Sequence, residues 1–309
     1  MKGVVLAAGK GSRLFPVTHV VPKPLLPLAN RVTLDLAFQR LKEIGVTEIG
    51  IVVGENRVVM QEALGDGSAY GVRLSYIFQP NPQGLAHAVG FAREFVGDDS
   101  FILYLGDAVY SDSLLPFKTR FEASGCDNLN LVKPVPDPER FGVAETEGER
   151  IVRLVEKPKE PKSNLAMAGV YFFGPRLWSV LEGLPPSARG EYEITDAIQR
   201  LIDRRGSVLA GVYTGDWFDT GTLDSFLGTN AYLLKGGSKV DPSADVKAEI
   251  GANVAIGAGA RVRAARIEDT VVLPWSVVES EGEIRHSLLG GEVRGTEFVD
   301  AIRHGDRQP

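Results

Sequence analysis

The segment LAAGKGSRLFPVT, residues 6 to 18, brings Gly9, Lys10, Gly11 and Arg13 together directly after an apolar run. Glycines let backbone N–H groups approach an anion where no Cβ intervenes, and the two cations add charge, so phosphate is the ligand such a loop suits. Ten positions after Arg13, Lys23 stands between Pro22 and Pro24 in VVPKPLLPL. The prolines predict extended backbone at Lys23, from which one long side chain can aim back at the same anion. A guanidinium and an ammonium converging on backbone amides suit a polyphosphate.

Two common phosphate loops fit poorly. The dinucleotide fingerprint needs a third glycine that GKGSRL lacks, and Pro16 falls where that fold already runs a helix. Asp35 is spaced for a ribose contact, but it lies inside a predicted helix rather than at a strand end. The Walker-type loop needs GK followed by Ser or Thr after its spacer, which is not the pattern here.

The elements that would position this loop follow from the apolar runs GVVLA (3 to 7), EIGIVVG (48 to 54), RLSYIFQ (73 to 79) and FILYLGD (101 to 107), which read as strands. TLDLAFQRLKEIG reads as a helix with Thr33 as N-cap, an apolar face of Leu34, Ala37, Phe38 and Leu41, and Gly45 as its stop. Strand then helix, repeated, predicts an α/β fold with a doubly wound, mostly parallel sheet covered on both faces. Ligands of such sheets sit beyond the carboxyl ends of the strands. That rule puts residues 8 to 13, Gln79 and Asp107 on one rim.

After KGGS at 235 to 238 the pattern changes. Val240, Val246, Ile250, Ile256 and Val262 recur at about six residues with one short step, Gly251 and Gly257 fit the same repeat, and the stretch after Ile267 drifts. A six-residue period is the sign of a hexapeptide β-helix whose aliphatics stack inside a prism. Its few coils leave an exposed end, so the tail is expected to pack on its own catalytic domain or on a neighbouring subunit of a homo-oligomer.

Composition bounds the partners. The 309 residues are 44% hydrophobic and 24% charged, enough for one large core and a smaller second unit. Lys and Arg total 34 against 40 Asp and Glu, a net charge of −6, the opposite of the broad basic surface that nucleic acid requires. The lone Cys126 allows neither an intrachain disulfide nor a thiolate zinc cluster and reads as a core residue. The opening GVVLAA is broken by Gly9 and Lys10 too early for a signal peptide or membrane span, so a soluble cytoplasmic protein is expected. His19, His87, His286 and His304 are scattered and offer no catalytic triad.

LAAGKGSRLFPVT with PKPLLP resembles the signature of sugar-1-phosphate nucleotidyltransferases and, within them, of the glucose-1-phosphate thymidylyltransferases. The resemblance continues through QPNPQGLAHAV (79 to 89), YLGD (104 to 107), ERFGV (139 to 143), EKPKEPKSN (156 to 164), PSARGEYEITD (186 to 196) and WFDTGT (217 to 222), effectively the whole chain. With the tail it is most similar to the long form of that family. The resemblance implies a Rossmann-like catalytic domain over residues 1–235 and a short left-handed β-helix over 236–309. It implies transfer of a nucleotide from dTTP or UTP to a sugar 1-phosphate, expected to be glucose 1-phosphate, with release of pyrophosphate and no protein nucleophile. It further implies Mg²⁺ on Asp107 and Asp219.

By the same resemblance, Leu6, Ala8, Gly9, Gly11, Ser12, Arg13 and Lys23 surround the nucleotide, and Gln79 and Gly84 read its base. Ala108, Gly142, Glu156, Lys157, Met167, Ala168 and Arg189 receive the sugar phosphate, with Arg13, Lys23, Asp107, Lys157 and Asp219 carrying the chemistry. A glutamine amide offers the acceptor and donors that a thymine or uracil edge needs. A surface ion pair between Glu156 and Lys157 is not expected, because strand neighbours face opposite sides. Ala108 stands where the family usually has asparagine, which weakens the inference of sugar specificity; Ser12 replaces the more usual threonine and keeps its hydroxyl. The competing readings are a related enzyme using UTP with glucose 1-phosphate or GTP with mannose 1-phosphate, a catalytically silent sugar-nucleotide-binding regulator, and a tail with acyltransferase activity of its own.

Overall fold

The runs Lys2–Leu6, Glu48–Val53 and Phe101–Leu105 are apolar on both faces, with Val4, Val5, Ile51, Val52, Leu103 and Tyr104 fully buried. Continuous burial of this kind marks strands covered on both sides. In the computed structural model, which describes residues 1–305, these strands lie next to one another in one half of a nine-stranded sheet. The contacts of the chain group it into two compact units, one of Met1–Gly9 with Ala37–Trp217, the other of Lys10–Leu36 with the chain from Phe218 onward.

In the first unit, Arg73–Phe78, Glu48–Val53, Lys2–Leu6 and Phe101–Leu105 lie side by side and all parallel, as the sequence leads one to expect. The other half of the sheet is mixed, which corrects the expectation of a mostly parallel sheet. Leu165–Phe173 runs antiparallel to both Phe101–Leu105 and Asn128–Pro134, and Val208–Val212 returns parallel to Asn128–Pro134. Gly142–Glu147 and Arg150–Glu156 pair antiparallel because only Gly148 and Glu149 separate them, far too few residues for a crossover. Gly148 closes that turn at φ 60°. One core joins the helices to the sheet through residues such as Val89, Phe101, Phe173, Trp178 and Ile198. Cys126 is buried, and burial pushes its thiol above the ordinary range, leaving it unreactive.

The helix Thr33–Glu43 forms as predicted, with Phe38 and Leu41 buried and Gly45 beyond its end at φ 77°. Thr33 does not cap it. The Thr33 hydroxyl instead donates to the Leu26 carbonyl at 2.7 Å, so the side chain is spent on the preceding loop.

In the second unit, residues 10–36 fold as short turns at Ser12–Leu14, Val17–Val20 and Lys23–Leu25, followed by a hairpin of Pro27–Leu28 with Arg31–Val32. Ala29 and Asn30 close the hairpin at φ 49° and 58°, the pair of left-handed residues that a tight two-residue turn requires. The helix Leu223–Leu234 starts from a capping box of Thr222 and Ser225. Beyond it the strands stack in parallel, pairing Val246 with Val262, Val262 with Val278 and Val278 with Val293, so the chain returns to the same column after each circuit of a coil.

The interior of that coil holds Ile256, Val262, Ile267, Val272, Val278, Ile284 and Leu289, so the repeat that drifts in the sequence after Ile267 persists in space. Val240 and Val246 pack against it partly buried. Ile250 is the exception at 42% exposed, although its partner Ile267 is fully buried. It belongs to an outer strand, Asp245–Ile250, that pairs on one side only and is irregular between Lys247 and Glu249, where the six-residue spacing also breaks. Asn30 donates to the carbonyls of Lys239 and Ile256, and Asn230 links the Ala29 N–H to the Asn253 carbonyl, fastening coil, hairpin and helix together. Among the described residues, no helix is long and apolar enough to cross a membrane.

Candidate active site

Three backbone bonds mark the carboxyl rim of the parallel strands: the Ala7 N–H donates to Val52, Gln79 to Val53 and Gly106 to Leu6. Ala8, Gln79 and Asp107 therefore each follow a strand end in the first unit, as the rim argument predicts. Lys2–Leu6 lies between Glu48–Val53 and Phe101–Leu105, the place where strand order reverses and α/β sheets bind ligands. Gly54 passes close to Ala8, and a Cβ there would sit 3.4 Å from the Ala8 carbonyl, an ordinary contact that does not demand glycine.

Gln79 is buried at 1% exposure, and its Nε2 lies 2.8 Å from Nδ1 of His87. Gly84 holds φ 117°, and a Cβ on it would come within 2.5 Å of the Tyr192 carbonyl oxygen. Only glycine fits there. Tyr192 clamps the same loop by donating to Gln83 and accepting from Ala86. Neither His87 nor Tyr192 is given a role by the sequence; the signals were their positions within QPNPQGLAHAV and PSARGEYEITD.

The Ala108 carbonyl accepts from Tyr104 at 3.0 Å, and the Ala168 carbonyl accepts from the Tyr110 hydroxyl. Burial pushes both phenols well above the ordinary tyrosine range, so they remain donors at any physiological pH.

Gly142, Glu156, Lys157, Met167 and Arg189 come together. A Cβ on Gly142 would meet Thr195 Cγ2 at 2.5 Å, with Glu156 Oε2 and Met167 Cγ at 3.2 Å, so glycine keeps this wall open. Arg189 reaches Glu156 at 3.3 Å and Glu193 at 3.1 Å, and Thr195 donates to Glu156 at 3.1 Å. Glu193, a residue the sequence reading left without a role, is raised from its usual range chiefly by burial and then by the nearby Glu156 charge. Lys157 Nζ lies 3.8 Å from Glu156 Oε1, which corrects the expectation that the two diverge. The strand ends at Glu156, and Lys157 turns into the left-handed region at φ 42°, which abolishes the alternation of sides.

In the second unit, Gly11 adopts φ 63°, and a Cβ on it would be 3.0 Å from Lys23 Cβ. Thr18 donates to the Gly11 carbonyl at 2.8 Å, and Lys23 is buried. Lys23 opens a 3-10 turn rather than an extended segment, correcting the proline argument. Pro24 falls in the first turn, where its missing N–H costs no bond. Arg13 and Asp219 meet around Gly221, whose Cβ would lie 2.6 Å from Arg13 Nη2 and 3.0 Å from Asp219 Oδ1.

Among the described residues, no three His, Cys, Asp or Glu side chains gather as a metal site. Asp107 and Asp219 offer hard oxygen donors, and magnesium commonly takes one or two carboxylates with water and phosphate oxygens completing its shell. The donor chemistry fits Mg²⁺ and does not suit a thiophilic metal.

The fold is that of an α/β protein with polar clusters after its parallel strands. The Nucleotidyl transferase family matches residues 2–236, and the chain belongs to that family. A Streptomyces griseus protein named glucose-1-phosphate thymidylyltransferase is 40% identical, across 97% of this chain and 91% of that one. The low-salt glycan biosynthesis nucleotidyltransferase Agl11 of Haloferax volcanii is 38% identical, across 94% and 92%. Among solved structures, a candidate glucose-1-phosphate thymidylyltransferase from Bacillus anthracis in complex with a sucrose superposes with a TM-score of 0.70 at 39% identity, covering 75% of this chain and 94% of that one.

Proposed function

We propose that the protein is a glucose-1-phosphate thymidylyltransferase that joins dTTP, or UTP, to glucose 1-phosphate and releases pyrophosphate. The observation that carries this reading is the buried Gln79 amide beside Gly84, a donor–acceptor pair suited to a pyrimidine edge, in a chain similar over nearly its whole length to a protein of that name. Thymine and uracil differ by one methyl, worth about 1–3 kcal/mol, so discrimination between them is modest.

An oxygen of the sugar phosphate attacks the α-phosphorus in line; that P–O bond forms as the bond from the α-phosphorus to the β-phosphate oxygen breaks. Residues 6 to 13 and Lys23 bind the triphosphate, with Arg13 and Lys23 neutralising charge that builds in the transition state. Glu156 accepts from sugar hydroxyls beside the Gly142 backbone, Ala108, Met167 and Ala168, while Lys157 and Arg189 hold the sugar phosphate. Asp107 and Asp219 hold Mg²⁺, which when bound supplies further charge neutralisation at the phosphates. Residues 1–235 form the catalytic chain and the tail from 236 a short left-handed hexapeptide β-helix, in a soluble cytoplasmic homo-oligomer; the last positions of the expected 236–309 span, 306–309, lie outside the described residues.

Pyrophosphate release with dTTP, UTP, ATP and GTP against glucose and mannose 1-phosphates, with Mg²⁺, tests the assignment. Turnover confined to thymidine or uridine nucleotides with glucose 1-phosphate is expected. A preference for GTP with mannose 1-phosphate, or binding without turnover, overturns it. Asp219→Asn is expected to abolish the Mg²⁺ dependence and most activity, and an unchanged metal titration would exclude the metal role.

A further inference from the structure

Gln79 is held by a partner that nucleotidyl transfer does not itself require. Its Nε2 faces His87 Nδ1 at 2.8 Å, and an amide nitrogen can only donate, so the imidazole accepts there and carries its proton on Nε2. The ring stacks on Tyr192 with centroids 5.9 Å apart and meets the edge of Phe91 at 5.1 Å. On its open side it lines a cavity of about 510 Å³ with Phe91, Leu181, Leu184 and Tyr192. Gln79, Phe91 and Tyr192 thus face the ring from the strand end, its own helix and the loop before the helix Ile194–Asp203, and none brings a charge. Burial in these surroundings lowers His87 below the ordinary histidine range and favours the neutral ring that the bond needs.

We propose that His87 is a positioning residue that selects which pyrimidine edge Gln79 reads, by pinning one Nε2–H and leaving Oε1 and the other N–H for the base. The inference rests on the reading of the protein as a pyrimidine nucleotidyltransferase. Thymine and uracil present an N3–H donor beside carbonyl acceptors. Cytosine presents a bare N3 acceptor beside an amino donor. An unpinned glutamine amide can turn over and serve either edge, so Gln79 alone discriminates weakly. With one N–H committed to His87, Oε1 keeps its place opposite N3, where it accepts from thymine and opposes the cytosine lone pair.

The experiment compares kcat/KM for dTTP and dCTP, with glucose 1-phosphate and Mg²⁺, in the full-length parent, His87→Phe and His87→Asn. Phenylalanine keeps the aromatic packing and cannot accept; asparagine can place an acceptor oxygen near the position of Nδ1. The parent is expected to favour dTTP by about a hundredfold or more. His87→Phe should lose about tenfold or more of that ratio through the KM for dTTP, with kcat within about threefold, while His87→Asn keeps most of it. Histidine ¹⁵N shifts of the parent, assigned with the His87→Asn spectrum, should show the Nε2–H tautomer at neutral pH whether or not His87→Phe folds. An unchanged ratio in a folded His87→Phe, or a proton on Nδ1 at neutral pH, overturns the role of His87 alone. A parent that uses only purine nucleotides overturns the functional reading beneath it.

Discussion

Gly221 sets the distance between two side chains of opposite charge. With a hydrogen in place of a side chain, it lets Arg13 Nη2 and Asp219 Oδ1 close on one stretch of backbone, each within 3.0 Å of where a Cβ would stand. Gly221→Ala would force both to move, and both contacts are the far ends of side chains that can swing aside. Activity is therefore expected to fall by about tenfold or more, as misplaced catalytic groups do, while the melting temperature stays near that of the parent. Steady-state kinetics beside a thermal melt separates the two effects, and a variant equally active but less stable would mean that Gly221 serves packing alone. Arg13→Ala removes one preorganised cation outright and should lower turnover by about a hundredfold or more. Rates within about threefold of the parent would exclude Arg13 from charge neutralisation.

Three of the four parallel strands were legible in the sequence because they are buried on both faces, and an unbroken apolar run such as FILYL has few other readings, whereas Arg73–Phe78 at the sheet edge buries only Leu74. The glycine loop was legible for a similar reason, since Gly9, Gly11 and Arg13 crowd into few positions. What escaped was set by backbone geometry that composition does not encode. Lys157 joins Glu156 because it sits at φ 42°, one tight hairpin and the reversed strand Leu165–Phe173 make half of the sheet mixed, and Lys23 lies in a turn that prolines tolerate as readily as extended chain. Polar fasteners between distant elements were equally hidden. Asn230, 0% exposed on the helix Leu223–Leu234, accepts from the Ala29 N–H at 2.9 Å and donates to the Asn253 carbonyl at 3.0 Å. Asn230→Ala strands both groups, each at a cost of about 1–3 kcal/mol. The melting temperature should drop by about 5 °C or more, and a drop below about 1 °C would show that water replaces both bonds.

For the molecule as a whole, the tail is fastened to the chain that precedes it by charge as well as by packing. His286, at φ 47° in the coil, has Nδ1 2.5 Å from Asp269 and Nε2 2.9 Å from Asp224 at the start of the helix Leu223–Leu234. Burial alone would lower its pKa, but hydrogen bonds and charge from Asp224 and Asp269 together outweigh it, and the net shift is upward. A group whose pKa is raised in the folded state binds its proton more tightly there than in the unfolded chain. Its contribution is therefore complete below the unfolded value, about 6.5, and is lost as pH rises through the folded one. Melting temperatures of the parent and of His286→Gln, followed from mildly acidic to alkaline pH, read this directly. The parent should exceed the variant most on the acid side, and the gap should narrow as the solution passes from neutral to alkaline. A gap that widens with rising pH would mean that the imidazole is held neutral between its two carboxylates and that the fastening is packing alone.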